Sequence, residues 1–144
     1  MTDCVFCKIA QHEIGTTDIF YEDEHALAML DEDWAVKGHS LVIWKKHHLN
    51  ASDLTTEEFL KFSSVFHTAE KALLELTGKK RALTLKTGGL VSHFHFHIYP
   101  VDMDTDWQTI KNIFEKKVKY TPAAGEKEVL LHELRSTIQK QADL

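Results

Sequence analysis

The sequence predicts an α+β domain, a mostly antiparallel sheet carrying one long helix, with further helices toward the C-terminal end. Three observations predict it. Short apolar runs joined by short polar links read as neighbouring antiparallel strands, one stretch of three-and-four spacing reads as a helix, and the polar chain after Pro100 returns to helical spacing. With 144 residues and 43% hydrophobic content, the chain can bury one core and is short for two domains. Residues 1–100 are therefore expected to form the core and residues 101–144 a helical extension of the same domain.

Ile19-Phe20-Tyr21-Glu22 and His25-Ala26-Leu27-Ala28-Met29-Leu30 read as strands, and Asp23-Glu24 between them suits a hairpin turn. Ser40-Leu41-Val42-Ile43-Trp44, entered after Gly38, reads as a third. From Leu54 to Leu76 the period changes: Phe59, Phe62, Val65 or Phe66, Ala69, Leu73 and Leu76 make one apolar stripe. Thr55 with Glu58 has the form of a capping box and Gly78 follows as a stop. Ala82–Lys86 is a further strand, followed by Thr87-Gly88-Gly89 and then by His93-Phe94-His95-Phe96-His97-Ile98-Tyr99. In the tail, Trp107, Ile110, Ile113, Phe114 and Val118 suggest one helix, and Val129, Leu130, Leu134 and Ile138 another. Asp102, Asp104 and Asp106 lack the glycine and closing glutamate of a calcium loop and read as a solvated turn or helix start.

Composition narrows the function classes. The net charge of -5 and pI near 6.0, with no stripe of Lys and Arg, exclude a nucleic-acid footprint, so any phosphate must be held by local groups. No apolar run approaches a membrane span and no leader pattern opens the chain, which predicts a cytoplasmic protein. There, Cys4 and Cys7 are not expected to form a disulfide and read as metal-binding, redox or packing residues. The redox reading lacks an expected helix after the pair; the packing reading is buried thiols beside Phe6.

Strict alternation of imidazole with large apolar groups puts His93, His95 and His97 on one strand face and Phe94, Phe96 and Ile98 on the other. Neighbours on such a face sit roughly 6.5 to 7 Å apart while a Zn–N bond spans about 2.1 Å, so the three cannot share one ion and must divide their work. At one end, Cys4 and Cys7 could join a histidine following Lys45-Lys46 and one end of the triplet in a tetrahedral zinc site. At the other, a histidine free of metal could attack phosphorus or an acyl carbon, its second ring nitrogen hydrogen-bonded to fix the tautomer. Gly88-Gly89 would let backbone donors approach a phosphate.

Together these blocks resemble the histidine triad (HIT) superfamily of nucleotide hydrolases and transferases. The resemblance rests on His93-Phe-His95-Phe-His97-Ile98-Tyr99, Cys4-Val-Phe-Cys7-Lys8-Ile9, Tyr21-Glu22-Asp23-Glu24, Leu27-Ala-Met-Leu-Asp31 and Gly38-His39 through His47. It implies that His95 is a nucleophile forming a covalent nucleotidyl-histidine, that His97 and His39 orient it and contact the phosphate, and that Asp31 accepts from ribose hydroxyls. It further implies that Phe6 and Leu30 line a purine pocket, that Cys4, Cys7, His47 and His93 bind a structural zinc, and that the protein is a homodimer. The substrate class it implies is a nucleoside phosphoramidate or dinucleoside polyphosphate.

The chain also departs from that pattern. Gly89-Leu90 stands where side-chain donors to phosphate are usual, and Trp44 where proline is usual. Losing one preorganised donor costs on the order of 3 kcal/mol in the transition state, so a substitute is expected, and Lys86 at the end of its strand is the candidate. A nucleotide-binding regulatory module with weak catalysis is the rival reading, and a zinc protein whose triplet is structural is a third.

Overall fold

In the computed structural model, which describes residues 3–142, the chain forms a five-stranded antiparallel sheet with helices on both faces. The elements in order are α1 (Val5–Ala10), β1 (Ile19–Glu22), β2 (Ala26–Leu30), β3 (Ser40–Trp44), α2 (Thr56–Thr77), β4 (Arg81–Leu85), β5 (His95–Val101), α3 (Trp107–Phe114) and α4 (Glu126–Ala142). The strand order is β1-β2-β3-β5-β4, which seats β5 between β3 and β4.

The long helix follows its punctuation. The Glu58 amide donates to Thr55 Oγ1 at 3.1 Å and the Thr55 amide to Glu58 Oε1 at 2.9 Å, which satisfies two otherwise orphaned N–H groups. Gly78 closes the helix in the left-handed conformation, φ 72°, where a side chain would be strained. Its buried stripe of Phe62, Val65, Ala69, Ala72 and Leu73 packs with Ala28, Leu30, Val42, Phe94 and Ile98 on one face of the sheet. Leu130, Leu134 and Ile138 of α4 join the same cluster. Arg135 of α4 donates to the Ile19 carbonyl through Nε at 3.1 Å and Nη2 at 2.8 Å, bracing the β1 edge.

The opposite face carries α1, Ile9, Leu27, Met29, Leu41 and Ile43, and farther along β5 the cluster of Leu83, Tyr99, Val101, Ile110 and Ile113 beneath α3. Histidines 95 and 97 lie between these two apolar patches, opposite Ile43 and Leu41 on β3.

Three sequence expectations need correction. A helix does follow the cysteines: Cys4 caps α1, its Sγ accepting from the Cys7 amide at 3.4 Å, and the helix is too short for periodicity to reveal. The strand β5 starts at His95, so His93 lies before it and off the row. The first C-terminal helix stops at Phe114, leaving Val118 outside, because the chain turns left-handed at Lys116. Asp106 caps that helix, its carboxylate accepting from the Thr109 amide at 2.8 Å. Among the described residues, no helix is long and apolar enough to cross a membrane.

Candidate active site

His95, His93 and His39 each have a backbone partner that sets the ring's tautomer, and His39 in turn sets that of His97. The His95 ring lies 2.5 Å from the His93 carbonyl through Nδ1; a carbonyl only accepts, so Nδ1 carries the proton and the neutral ring keeps its lone pair on Nε2. The His93 ring meets the Trp44 carbonyl through Nε2 at 2.5 Å, which leaves its lone pair on Nδ1. His39 receives the Ala35 amide on Nδ1 at 3.2 Å, so its own proton sits on Nε2, 2.9 Å from Nδ1 of His97. His97 accepts that proton's hydrogen bond and carries its own hydrogen on Nε2. Asp31 Oδ2 lies 3.5 Å from His39 and 3.9 Å from His97, and its Oδ1 accepts the Asp33 amide at 3.0 Å.

Burial keeps these rings neutral. It pushes His39 down to about 4, although the nearby Asp33 backbone opposes it; it also pushes His97 to about 4, helped by the His39 ring beside it. Burial likewise holds His95 and His93 below the ordinary imidazole range, with the carbonyl each ring meets opposing. Tyr99 stacks on His97, interplanar angle 11°, and sits 4.2 Å from His39 between centroids, closing that side to water.

Beside this row, Cys4, Cys7, His47 and His93 form a second cluster, with all four ligand atoms within 4.8 Å of one another. Cys4 Sγ lies 3.4 Å and Cys7 Sγ 3.6 Å from His93 Nδ1, while His47 Nδ1 lies 3.3 Å from Cys7 Sγ and 3.2 Å from His93 Nδ1. A tetrahedral zinc with bonds of about 2.3 Å to sulfur and 2.05 Å to nitrogen has S–N edges of about 3.6 Å and an N–N edge of about 3.3 Å. The residues fit. The donor chemistry agrees: burial pushes the Cys7 thiol up to about 11, a penalty that a cation would offset, and the Trp44 carbonyl orients His93 Nδ1 toward the cluster.

A cleft of about 660 Å³ opens over His95 and His97. Phe6, Ile9, Met29 and Leu41 give it an apolar wall, Asp31, Glu32, Glu115 and Lys116 polar margins, and Gly89, Leu90 and Val91 a lip. Phe6 stands edge-on to His95, ring centroids 4.6 Å apart. His39 supports His97 from behind the cleft wall.

Three expected pocket residues lie elsewhere. Leu30 is fully buried on the α2 face of the sheet, and it is the adjacent Met29 that faces the cleft. Lys86 leaves its strand where expected, but its ammonium donates to Asn50 Oδ1 at 3.1 Å and does not line the cleft. The Gly89 amide donates to Thr87 Oγ1 at 3.1 Å, and Gly88, φ 66°, makes the turn without lining the cleft. Sequence reasoning missed Met29, Leu41, Phe114, Glu115 and Lys116 as cleft residues; the apolar spacing that predicts α3 was the available signal for Phe114 alone.

The HIT domain family profile matches residues 12–104. The protein hit of Bacillus subtilis is 36% identical over 106 residues, covering 68% of this chain and 70% of that protein. An adenylylsulfatase of Arabidopsis thaliana is 31% identical over 103 residues, covering 68% of this chain and 52% of that one. The crystal structure of a zinc-bound histidine triad family protein from Mycobacterium smegmatis shares the fold with a TM-score of 0.75 at 23% identity, over 99% of this chain and 97% of that one. With a family profile spanning most of the sheet and relatives above 30% identity over two thirds of its length, the chain belongs to the HIT domain family.

Proposed function

We propose that the chain is a nucleotidyl hydrolase or transferase that acts on nucleoside phosphoramidates or dinucleoside polyphosphates through a covalent nucleotidyl-histidine. The observation that carries this reading is the His95 ring, neutral, held through Nδ1 by a backbone carbonyl, and facing a cleft with its Nε2 lone pair unused. In the first step that lone pair attacks the α-phosphorus, a P–N bond forms, and the bond to the leaving group breaks as that group departs with a proton taken from solvent. In the second step water attacks the same phosphorus and releases a proton to solvent, the P–N bond breaks, and the neutral imidazole is regenerated.

The supporting groups have matching chemistry. Nε2–H of His97, held by His39, can donate to a phosphoryl oxygen, and Asp31 can accept from ribose hydroxyls. Phe6 with Met29 and Leu41 suits the face of a purine. The Arabidopsis relative's name adds the mixed anhydride of AMP and sulfate to the substrates worth assaying. Cys4, Cys7, His47 and His93 would hold a structural zinc, which would fasten α1, and with it Phe6, to the central sheet. A second copy would pair along β4, the sheet edge opposite the one braced by Arg135, giving a homodimer.

The test is a mass spectrum of protein quenched during turnover, with a nucleotide adduct expected on the peptide holding His95. The His95→Ala variant should lose turnover and keep nucleotide affinity; equal activity in that variant overturns the assignment. Leu90, 81% exposed on the cleft lip and unable to donate to phosphate, favours the binding module as second reading. Nucleotide binding without an adduct or turnover on any of these substrates would support it.

A further inference from the structure

Lys116 occupies a position that backbone chemistry reserves for glycine. The Lys116 amide donates to Ile113 at 3.2 Å and the Lys117 amide to Asn112 at 2.8 Å, which is the Schellman closure of α3 with Lys116 at its left-handed residue, φ 61°. A Cβ in that conformation is strained relative to glycine. The other non-glycine residue with positive φ among those described, His12, has a local partner in Glu22 at 2.6 Å. The ammonium of Lys116 has no ion pair among the described residues; of its two neighbours, Glu115 pairs with Lys117 at 3.3 Å.

That strained lysine lies on the cleft. Of the residues lining it, Lys116 is the lysine or arginine, while the remaining charged ones, Asp31, Glu32 and Glu115, are acidic. Its charge is felt at His97 and His39, where it opposes protonation. The lip supplies no substitute cation: Leu90 has no side-chain donor, the Gly89 amide is engaged by Thr87, and Lys86 is held by Asn50. A phosphate brought to His95 would otherwise meet an acidic margin without a side-chain cation.

Resting on the nucleotide reading above, we infer that Lys116 is the substrate-binding cation of this cleft, delivered by the end of α3 to pair with the phosphate oxygens beside His97. The retained backbone strain has a reason under this assignment, because the left-handed residue must carry a long cationic side chain.

Calorimetric titration of AMP and of adenosine into the wild type and into Lys116→Ala, Lys116→Arg and Lys116→Gly tests it. AMP affinity should fall about tenfold or more in the Ala and Gly variants and be largely kept in Arg, while adenosine, lacking the phosphate, binds all four alike. The Gly variant should melt no lower than the wild type, which separates lost charge from lost structure. Unchanged AMP affinity in Ala and Gly, or an equal loss for adenosine, overturns the role of Lys116 and leaves the nucleotide reading intact. A wild type that binds neither ligand overturns both.

Discussion

Lowering the pH from 7 to 5 should destabilise this protein through its buried histidine pair before its carboxylates titrate. His39 is 5% exposed, and burial takes it from the ordinary 6.5 to about 4. Below pH 6.5 the unfolded chain binds a proton that the folded chain refuses, so stability is complete above that pH, falls as pH drops, and levels off near 4. Integrating the linkage between those two values gives a loss of about 2 kcal/mol between pH 7 and pH 5 from His39 alone. His97 adds in the same direction but not in full, since part of its shift comes from the His39 ring. Glu22, Glu58, Glu126, Asp53 and Asp106 are held below their ordinary ranges, and their stabilisation is lost only as pH falls through the ordinary carboxylate values, below this window. The assay is urea unfolding of the wild type and His39→Gln at pH 7, 6 and 5. Gln keeps an Nε2 donor toward His97 and cannot titrate, so the stability gap between the two proteins should shrink by about 2 kcal/mol from pH 7 to pH 5. Parallel pH curves would refute the argument that a neutral, buried His39 supports His97.

Three further outcomes are expected. Chelation should lower the melting temperature and expose Cys7 to thiol reagents, with added zinc restoring both; a chelator-insensitive Cys7 would count against the metal cluster. Leu30→Ala should cost about 2–5 kcal/mol in urea unfolding while leaving AMP affinity unchanged, whereas Phe6→Ala should weaken AMP binding. Thr55→Ala should lose about 1 kcal/mol of stability with Thr55→Ser restoring it, because only the hydroxyl accepts from Glu58.

How much of this was legible in the sequence varies with how local the signal is. The ends of α2 are written in adjacent residues, Thr55 with Glu58 and then Gly78, and the structure ends the helix there. The strands of the hairpin and β3 were likewise marked by their flanking turns. The face on which Leu30 lies was not legible, because all five residues of β2 are buried and a strand buried on both sides shows no alternation to set its phase. The departure of His93 from the row was hidden for a related reason: the alternation of imidazole and phenyl continues through His93, but strand pairing with β3 begins at His95. Lys116 was out of reach, since a left-handed helix end normally announces itself by glycine and here the sequence shows only Glu-Lys-Lys.

The same geometry explains how four similar rings come to differ. Imidazole has two nitrogens, and an obligate acceptor or donor placed at one decides what the other can do. The Trp44 carbonyl takes Nε2 of His93 and leaves the Nδ1 lone pair toward the cysteine cluster; the His93 carbonyl takes Nδ1 of His95 and leaves the lone pair on Nε2. The Ala35 amide at His39 sends a proton the other way, making His97 a donor. His93 therefore belongs to both sites, its ring to the cysteine cluster and its carbonyl to the ring of His95. Displacing the cluster would tilt that carbonyl, whereas replacing the His93 side chain alone would leave it in the chain to hold His95. The backbone between residues 93 and 95, rather than any side chain in the cleft, is what aims the Nε2 lone pair of His95.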